Sequence, residues 1–426
     1  MTTKYLAKDD SWFRLDNAAK IYPAVKGSEL TSVFRVSVEL KKRVKARPLL
    51  DAVAIIEDRF PFYKVRLKTG FFWYYLERYN APIKVVPDIG MPCRAFNKDE
   101  LMFRVLVKDN RISAEFSHIL TDGAGAFEFL KILLKIYFDK CLIHGTSNTK
   151  SIGYENEILE ENYEDAYKRY FKKIKSPTIK GLKAFHIPFN LKLKPRFDLL
   201  KVVIPLDKIN NRAKAFNLSL TEYLVAVYIY SLQEVYKLQS DFNKRRSHKN
   251  IRIQVPVNLR KIFPSKTMRN FSLFVMPGID LRLGYFTFDE IAKVVHHQMQ
   301  LETDKKLINK TISRNVGGEK IPLVRAMPLF FKSVFLSGLY RSATKQYSGV
   351  VTNYGKMQLP SYISKQINFF VLIPPPPNKI LKINCGAIGF ENKLVLSFGN
   401  ITVSKELERH FFSLLVKHGV PVKIIK

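Results

Sequence analysis

Residues 111–126 read RISAEFSHILTDGAGA, and within them the two-residue period of a β-strand gives way to the start of a helix. Successive side chains of a strand point to opposite faces, so one face of the predicted strand carries Ile112, Ala114, Phe116 and His118. His118 therefore ends an apolar face and is expected to point inward. Burial disfavours the charged imidazole. We predict a neutral histidine, the form that a general base needs near neutral pH.

Asp122 and Gly123 stand where the predicted strand ends and the helix begins. Glycine permits a tight turn that a side chain would obstruct. A carboxylate at a helix start accepts hydrogen bonds from the free N–H groups there. A capped helix after a strand that ends in histidine would show the same residues, so the motif alone leaves both interpretations open. Of the eight histidines, only His118 has an acid four residues later, which favours the catalytic interpretation.

Sequence patterns for other chemistries are absent. Cys93, Cys141 and Cys385 lie far apart and form no CxxC pair, and no HExxH motif occurs, so no metal site is predicted. No GxSxG elbow and no GxxxxGK[ST] loop occurs either. Without a signal peptide or an apolar run of membrane-spanning length, we predict a cytoplasmic protein in which residues 327–340 form a buried or surface-lying helix.

Both halves of the chain alternate strand and helix patterns. Strands are predicted over residues 34–40, 62–67, 70–77, 102–107, 112–118, 199–204, 251–257, 367–373, 380–388 and 393–398. Helices are predicted over residues 48–60, 124–138, 221–236, 288–300 and 405–418. Residues 241–249 are predicted as an exposed loop. The prolines at 374–377 are predicted as a stiff connector.

Residues 171–197 interrupt this alternation, since they contain eight Lys or Arg residues, three prolines and no acid. Such a run favours an irregular crossover between two parts of a protein. We therefore predict an N-terminal lobe at 1–175 that carries the HxxxDG motif, a basic crossover linker at 176–197 and a C-terminal lobe at 198–426.

The formal net charge of +34 needs an explanation, which is either an anionic partner or a purely compositional cause. Nucleic acid, an anionic membrane face and phosphate-bearing molecules such as coenzyme A would all fit. A lysine-rich composition with solvated charges would fit as well. No nucleic-acid-binding motif accompanies the charge, so no nucleic-acid partner is predicted.

Further segments, in order along nearly the whole chain, carry a family resemblance. They are WFRLDNAA (12–19), RFP (59–61), GFFWYYLE (70–77), FSHILTDGAGA (116–126), VPVNLR (255–260), RNF (269–271) and VTNYG (351–355). Together they resemble the alcohol acetyltransferase group of the coenzyme-A-dependent acyltransferase superfamily. That superfamily also includes chloramphenicol acetyltransferase and the condensation domains of peptide synthetases.

The resemblance implies an α+β (mixed α/β) fold of two similar lobes, each a mixed β-sheet flanked by helices, with an active-site tunnel between them. His118 would take a proton from an acceptor hydroxyl or amine, which attacks the thioester of acyl-CoA. Thr352 or Asn353 would stabilise the oxyanion. Asp122 would pair with an arginine and hold the loop, and Arg260 is the candidate partner.

Two departures from the family pattern stand out. Position 117 is serine, where some relatives have a second histidine, and the late DFGWG motif is reduced to SFGN at 397–400. The second departure weakens what the resemblance implies about that loop, and neither touches His118.

We predict a monomeric acyltransferase that uses acyl-CoA, most simply acetyl-CoA, as co-substrate and has no permanently bound cofactor. Its acceptor would be a small alcohol or amine, lipophilic if the protein contacts an anionic membrane surface. Two alternatives remain: a condensation-type enzyme that takes its acyl group from a carrier-protein thioester, and a non-catalytic membrane-associated module of the same fold.

Overall fold

A computed structural model describes residues 12–25, 31–143, 160–174, 181–194 and 196–425. The strands within these residues are β1 (Trp12–Arg14), β2 (Val33–Leu40), β3 (Val65–Thr69), β4 (Tyr74–Arg78), β5 (Val85–Pro87), β6 (Phe103–Lys108), β7 (Arg111–Ser117), β8 (Asp198–Pro205), β9 (Asn250–Asn258), β10 (Ser272–Val275), β11 (Gly278–Asp280), β12 (Gly349–Met357), β13 (Ile367–Ile373), β14 (Ile383–Phe390), β15 (Lys393–Asn400) and β16 (Lys423–Ile425).

The α-helices within the same residues alternate with the strands. They are α1 (Tyr22–Val25), α2 (Ala46–Arg59), α3 (Gly123–Ile143), α4 (Ala166–Arg169), α5 (Leu206–Ala215), α6 (Leu220–Lys237), α7 (Asp241–Arg246), α8 (Phe288–Glu302), α9 (Lys305–Lys320), α10 (Pro322–Ala326), α11 (Leu329–Thr344), α12 (Ser361–Ser364) and α13 (Glu406–Lys417). In these ranges no helix is both long and apolar enough to cross a bilayer.

Two large sheets organise the chain. The N-terminal sheet has the strand order β13-β2-β7-β6-β5; helix α3 packs over it, and α2 packs against α3. The large sheet has the order β10-β9-β12-β14-β15-β8-β16, with β11 also paired to β9. Helix α6 covers the large sheet and is itself flanked by α8 and α13. A third, small sheet with the order β1-β4-β3 is not hydrogen-bonded to either of these sheets. The predicted mixed α/β fold is confirmed.

Local sequence accounts for where the principal elements begin and turn. Helix α6 starts with a capping box in which Ser219 and Glu222 each satisfy the other's backbone N–H group. Thr287 and Glu290 start helix α8 in the same way. The predicted hairpin of β6 and β7 turns at Asp109, whose positive φ of 50° suits a tight turn.

One strand crosses between the two halves of the chain. β13 pairs antiparallel with β2, with Phe370 opposite Val38, although the strands that follow it belong to the large sheet. A Cβ atom on Gly386 of β14 would lie 2.4 Å from the carbonyl oxygen of Leu372, so glycine permits the close approach of β13 and β14. The proposed lobe limits remain a prediction, and β13 joins the N-terminal sheet from beyond residue 198.

Three sequence predictions need correction. The aromatic run at 70–77 is a strand only from Tyr74, because Gly70 donates to the Trp73 carbonyl and closes a turn first. Residues 61–63 form a 3₁₀ turn, which delays β3 until Val65. Residues 241–246 are helix α7 rather than a loop, because Ser240 caps the helix by accepting from the Asn243 N–H group.

Candidate active site

His118 lies between the end of β7 and the start of α3. Its backbone N–H donates to the Ser32 carbonyl, 2.8 Å away. The imidazole stacks on the Tyr22 ring at 5.3 Å between centroids, and the Phe34 ring lies 4.4 Å away. Two aromatic rings therefore restrict the orientation of the imidazole.

Burial lowers the pKa of His118 to about 4. The charge of Asp122 and hydrogen bonding by Asn270 and the Thr121 backbone oppose this shift but do not cancel it. The ring is therefore neutral at neutral pH. Its Nδ1 atom is buried and has no hydrogen-bond partner among the described residues, and His118 lines the cavity beside it.

Asp122 uses both carboxylate oxygens to join distant parts of the chain. Oδ1 accepts from the N–H groups of Ala124 (3.1 Å) and Gly125 (3.2 Å), which caps the start of α3. Oδ2 accepts from Arg260 Nη1 and from the Phe271 N–H group, both at 2.8 Å. A carboxylate held in this way is suited to positioning the loop rather than to proton transfer.

Arg260 is the residue that the sequence analysis offered as partner of Asp122, and the structure brings the two together. It follows β9 on a 3₁₀ turn, and its guanidinium also donates to the carbonyl oxygens of Thr267 and Arg269. Burial alone would lower the pKa of this guanidinium, but the charge of Asp122 and its hydrogen bond outweigh that effect and raise the pKa. The Arg260 guanidinium therefore stays charged.

A second polar link holds the backbone of His118 itself. Asn270 Nδ2 donates to the His118 carbonyl (2.9 Å) and to Asp16 Oδ2 (3.0 Å). Asp16 is fully buried, which raises its pKa to about 6, and its Oδ1 accepts from the Ala19 N–H group. The sequence analysis assigned no role to Asp16 or Asn270. Both lie in segments that carry the family resemblance, at 12–19 and 269–271. That resemblance was the sequence feature that could have identified them.

The two glycines after Asp122 serve different purposes. A Cβ on Gly125 would lie 2.2 Å from Thr121 Oγ1 and 2.7 Å from the Tyr63 hydroxyl, so packing requires glycine there. A Cβ on Gly123 would meet no described atom within 4 Å. Gly123 instead lines the cavity next to His118, where a missing side chain leaves space.

A cavity of about 1620 Å³ lies beside His118 and is lined by both halves of the chain. Its walls include Gly123, Asn258, Thr352, Asn353 and the prolines at 374–377. Pockets for one small ligand measure roughly 300–1,000 Å³. This cavity therefore has room for two substrates at once.

Thr352 and Asn353 differ in how free their side chains are. Asn353 Nδ2 donates to Thr221 Oγ1 and its Oδ1 accepts from the Gly355 N–H group, both at 2.9 Å. The Thr352 hydroxyl forms no hydrogen bond with the described residues. Val351, the residue before it in β12, belongs to the core of the C-terminal half, so Thr352 points to the opposite face of the strand. Thr352 lines the same cavity as His118.

Sequence comparison and structure comparison give different results for this chain. No protein-family model matches it, and a search of curated proteins gives no significant match. The structure of F. sporotrichioides TRI101 complexed with coenzyme A and T-2 matches 97% of the chain and 100% of its own, with a TM-score of 0.64 at 9% identity. The likeness therefore concerns the fold.

Two further structures extend the likeness. The wax ester synthase/diacylglycerol acyltransferase from Marinobacter aquaeolei VT8 matches 95% of this chain and 100% of its own, with a TM-score of 0.54 at 12% identity. The first condensation domain of the CDA synthetase matches 96% of this chain and 97% of its own, with a TM-score of 0.58 at 11% identity. The predicted two-lobed fold, which these three structures share, is confirmed. The alcohol acetyltransferase group remains a prediction.

Replacing Asp122 by asparagine should destabilise the protein, because the substitution leaves the charge of Arg260 buried and uncompensated. We expect a loss of about 3 kcal/mol, seen in calorimetry as a melting temperature lower by roughly 5 °C. Arg260→Met should cost less in the Asp122→Asn background than in the wild type, because the partner is already lost. The control is Asp99→Asn, whose side chain is 86% exposed. Equal melting temperatures for Asp122→Asn and Asp99→Asn would contradict a positioning role for Asp122.

Proposed function

We propose that the protein is an acyltransferase that moves an acyl group, acetyl in the simplest case, from acyl-CoA to a hydroxyl or amine of an acceptor. One observation carries the proposal: a neutral imidazole faces a cavity large enough for a donor and an acceptor. The structural likeness to a wax ester synthase/diacylglycerol acyltransferase supports the proposal. So does the likeness to the TRI101 structure that is complexed with coenzyme A.

The chemistry assigned to His118 is general base catalysis. Nε2 takes the proton from the acceptor as its oxygen or nitrogen attacks the thioester carbonyl carbon. A tetrahedral oxyanion forms. It collapses with cleavage of the C–S bond, and the departing thiolate takes the proton back from the imidazolium. A cavity that holds donor and acceptor together beside the base also lowers the entropic cost of bringing them together.

Thr352 is the better candidate for the oxyanion donor. Stabilisation of a developing oxyanion needs a donor that is already in place and not used elsewhere. The Thr352 hydroxyl meets this condition, whereas Asn353 is engaged by Thr221 and Gly355. Asn353 is better suited to fixing the turn that follows β12.

Two cations favour a phosphate-bearing donor. Lys261 and Arg314 are exposed residues on the cavity lining, and Lys261 follows Arg260 in sequence. Phosphate groups of coenzyme A would find donors there. The likeness to a condensation domain supports a second candidate, a carrier-protein thioester as acyl donor. A thiol-release assay that offers acyl-CoA and an acyl carrier protein in parallel separates the two donors.

Replacing His118 by alanine should lower kcat by at least about a hundredfold, the usual contribution of a positioned base. Release of free thiol from acyl-CoA in the presence of alcohols or amines measures the rate. For the wild type, kcat/KM should stay level around neutral pH and fall as the pH approaches about 4, where His118 becomes protonated.

The matched control for that experiment is His418→Ala. Burial lowers the pKa of His418 to about 4 as well, but this residue lies at the end of α13 and bonds to the Tyr223 hydroxyl. The control should keep the wild-type kcat. Equal turnover by wild type and His118→Ala would refute the assignment of His118 as base.

Thr352→Val should lower kcat by about a hundredfold and leave the melting temperature close to that of the wild type, because valine keeps the shape and loses only the hydroxyl. Asn353→Ala should show the reverse pattern, with a lower melting temperature and a smaller effect on kcat. Full activity of Thr352→Val, together with a large loss in a well-folded Asn353→Ala, would transfer the role to Asn353.

A further inference from the structure

Helix α11 presents an apolar face that no described part of the chain covers. Its outward side chains are Phe330, Phe331, Val334, Phe335 and Leu339. Phe330 is 74% exposed, and Phe71, on the turn before β4, is 72% exposed. Single exposed apolar residues are ordinary, whereas a contiguous group of aromatic side chains marks a contact surface.

The turn and the helix form one fixed surface. The Leu329 N–H group at the start of α11 donates to the Phe71 carbonyl at 2.8 Å. The Lys332 amine is buried behind the apolar face, where it donates to the Phe72 carbonyl at 2.9 Å and lies 3.9 Å from the centre of the Trp73 ring. We call Phe71, Phe72 and the five outward side chains of α11 the apolar platform.

The segment that carries most of the apolar platform contains cations and no acid. Residues 320–345 contain five cations and no acid. Of these, four are exposed: Lys320 at the end of α9, Arg325 in α10, and Arg341 and Lys345 at the end of α11. A helix with aromatic side chains on one face and cations beside it is the pattern of a segment that lies in the interface of an anionic bilayer.

The apolar platform borders the cavity that holds His118. Leu336 and Tyr340, on the inner side of α11, line that cavity. Phe335 and Leu339 both line the cavity and are exposed on the apolar platform. A lipophilic molecule that left a bilayer at this surface would remain in contact with apolar side chains on its way to the base.

We propose that the apolar platform docks the protein onto an anionic lipid bilayer, and that the acceptor is a lipophilic alcohol or amine drawn from that bilayer. The docking claim rests on the surface alone. The acceptor claim also rests on the proposed acyltransferase function.

Flotation with vesicles made of equal parts phosphatidylglycerol and phosphatidylcholine tests the docking claim. The wild type should float with them. The triple variant Phe71→Ser, Phe330→Ser and Phe331→Ser should partition about a hundredfold more weakly, because three aromatic side chains no longer enter the interface. Arg325→Gln with Arg341→Gln should weaken binding about tenfold on these vesicles and leave binding to pure phosphatidylcholine unchanged.

The matched control changes three exposed apolar residues outside the apolar platform, in Leu238→Ser, Phe242→Ser and Leu283→Ser. It should float like the wild type. The docking claim is overturned if the wild type stays unbound, or if the triple variant floats equally well. It is also overturned if sedimentation shows a wild-type dimer that the triple variant dissociates, because the platform would then join two copies of the chain.

Activity separates the acceptor claim from the docking claim. The triple variant should lose rate with a long-chain alcohol carried in vesicles and keep the wild-type rate with a short, water-soluble alcohol. Equal losses with both alcohols, or no loss with either, would overturn delivery from the bilayer. If His118→Ala kept full activity but still floated, the proposed base would fail and the docking claim would stand.

Discussion

The buried ion pair between Asp122 and Arg260 is the contact on which the arrangement of the site depends. It joins residues 138 positions apart, at the start of α3 and the end of β9, at 2.8 Å. Such a pair adds little net stability, because removing two charges from water costs about as much as their attraction returns. Its value is positional: Asp122 fixes the loop that follows His118, and Asn270 holds the His118 carbonyl from the same side.

Two consequences follow from the burial of the base. The imidazole is neutral at physiological pH and ready to accept a proton, but a pKa of about 4 makes it a weak base toward an ordinary alcohol. In the proposed reaction, catalysis would therefore draw on positioning and on stabilisation of the oxyanion as much as on basicity. The large cavity and the Thr352 hydroxyl are our candidates for these two contributions.

The sequence predicted the parts of the fold that local patterns encode. The β6–β7 hairpin and α6 with its Ser219 cap followed from periodicity and capping. The placement of β13 did not, because residues 367–373 read INFFVLI, and such an apolar run suits either sheet. Helix α7 was missed because a charged six-residue helix has no apolar period to reveal it.

Within the candidate site, a motif and a family resemblance predicted His118, Asp122 and Arg260 from the sequence. It could not distinguish Thr352 from Asn353, because that difference lies in hydrogen bonds made by Asn353 to residues far away in sequence or across a turn. It also could not show the role of Asn270, whose partners are Asp16 and the backbone of His118. Long-range pairing of this kind has no signature in a single chain.

A crystal structure of the protein with a non-cleavable thioether analogue of acyl-CoA tests the central claim most directly. The account predicts that the analogue's sulfur lies in the cavity within about 3.5 Å of His118 Nε2, close enough to take back the proton. A sulfur bound away from His118, with the imidazole cut off from the ligand by other side chains, would contradict it.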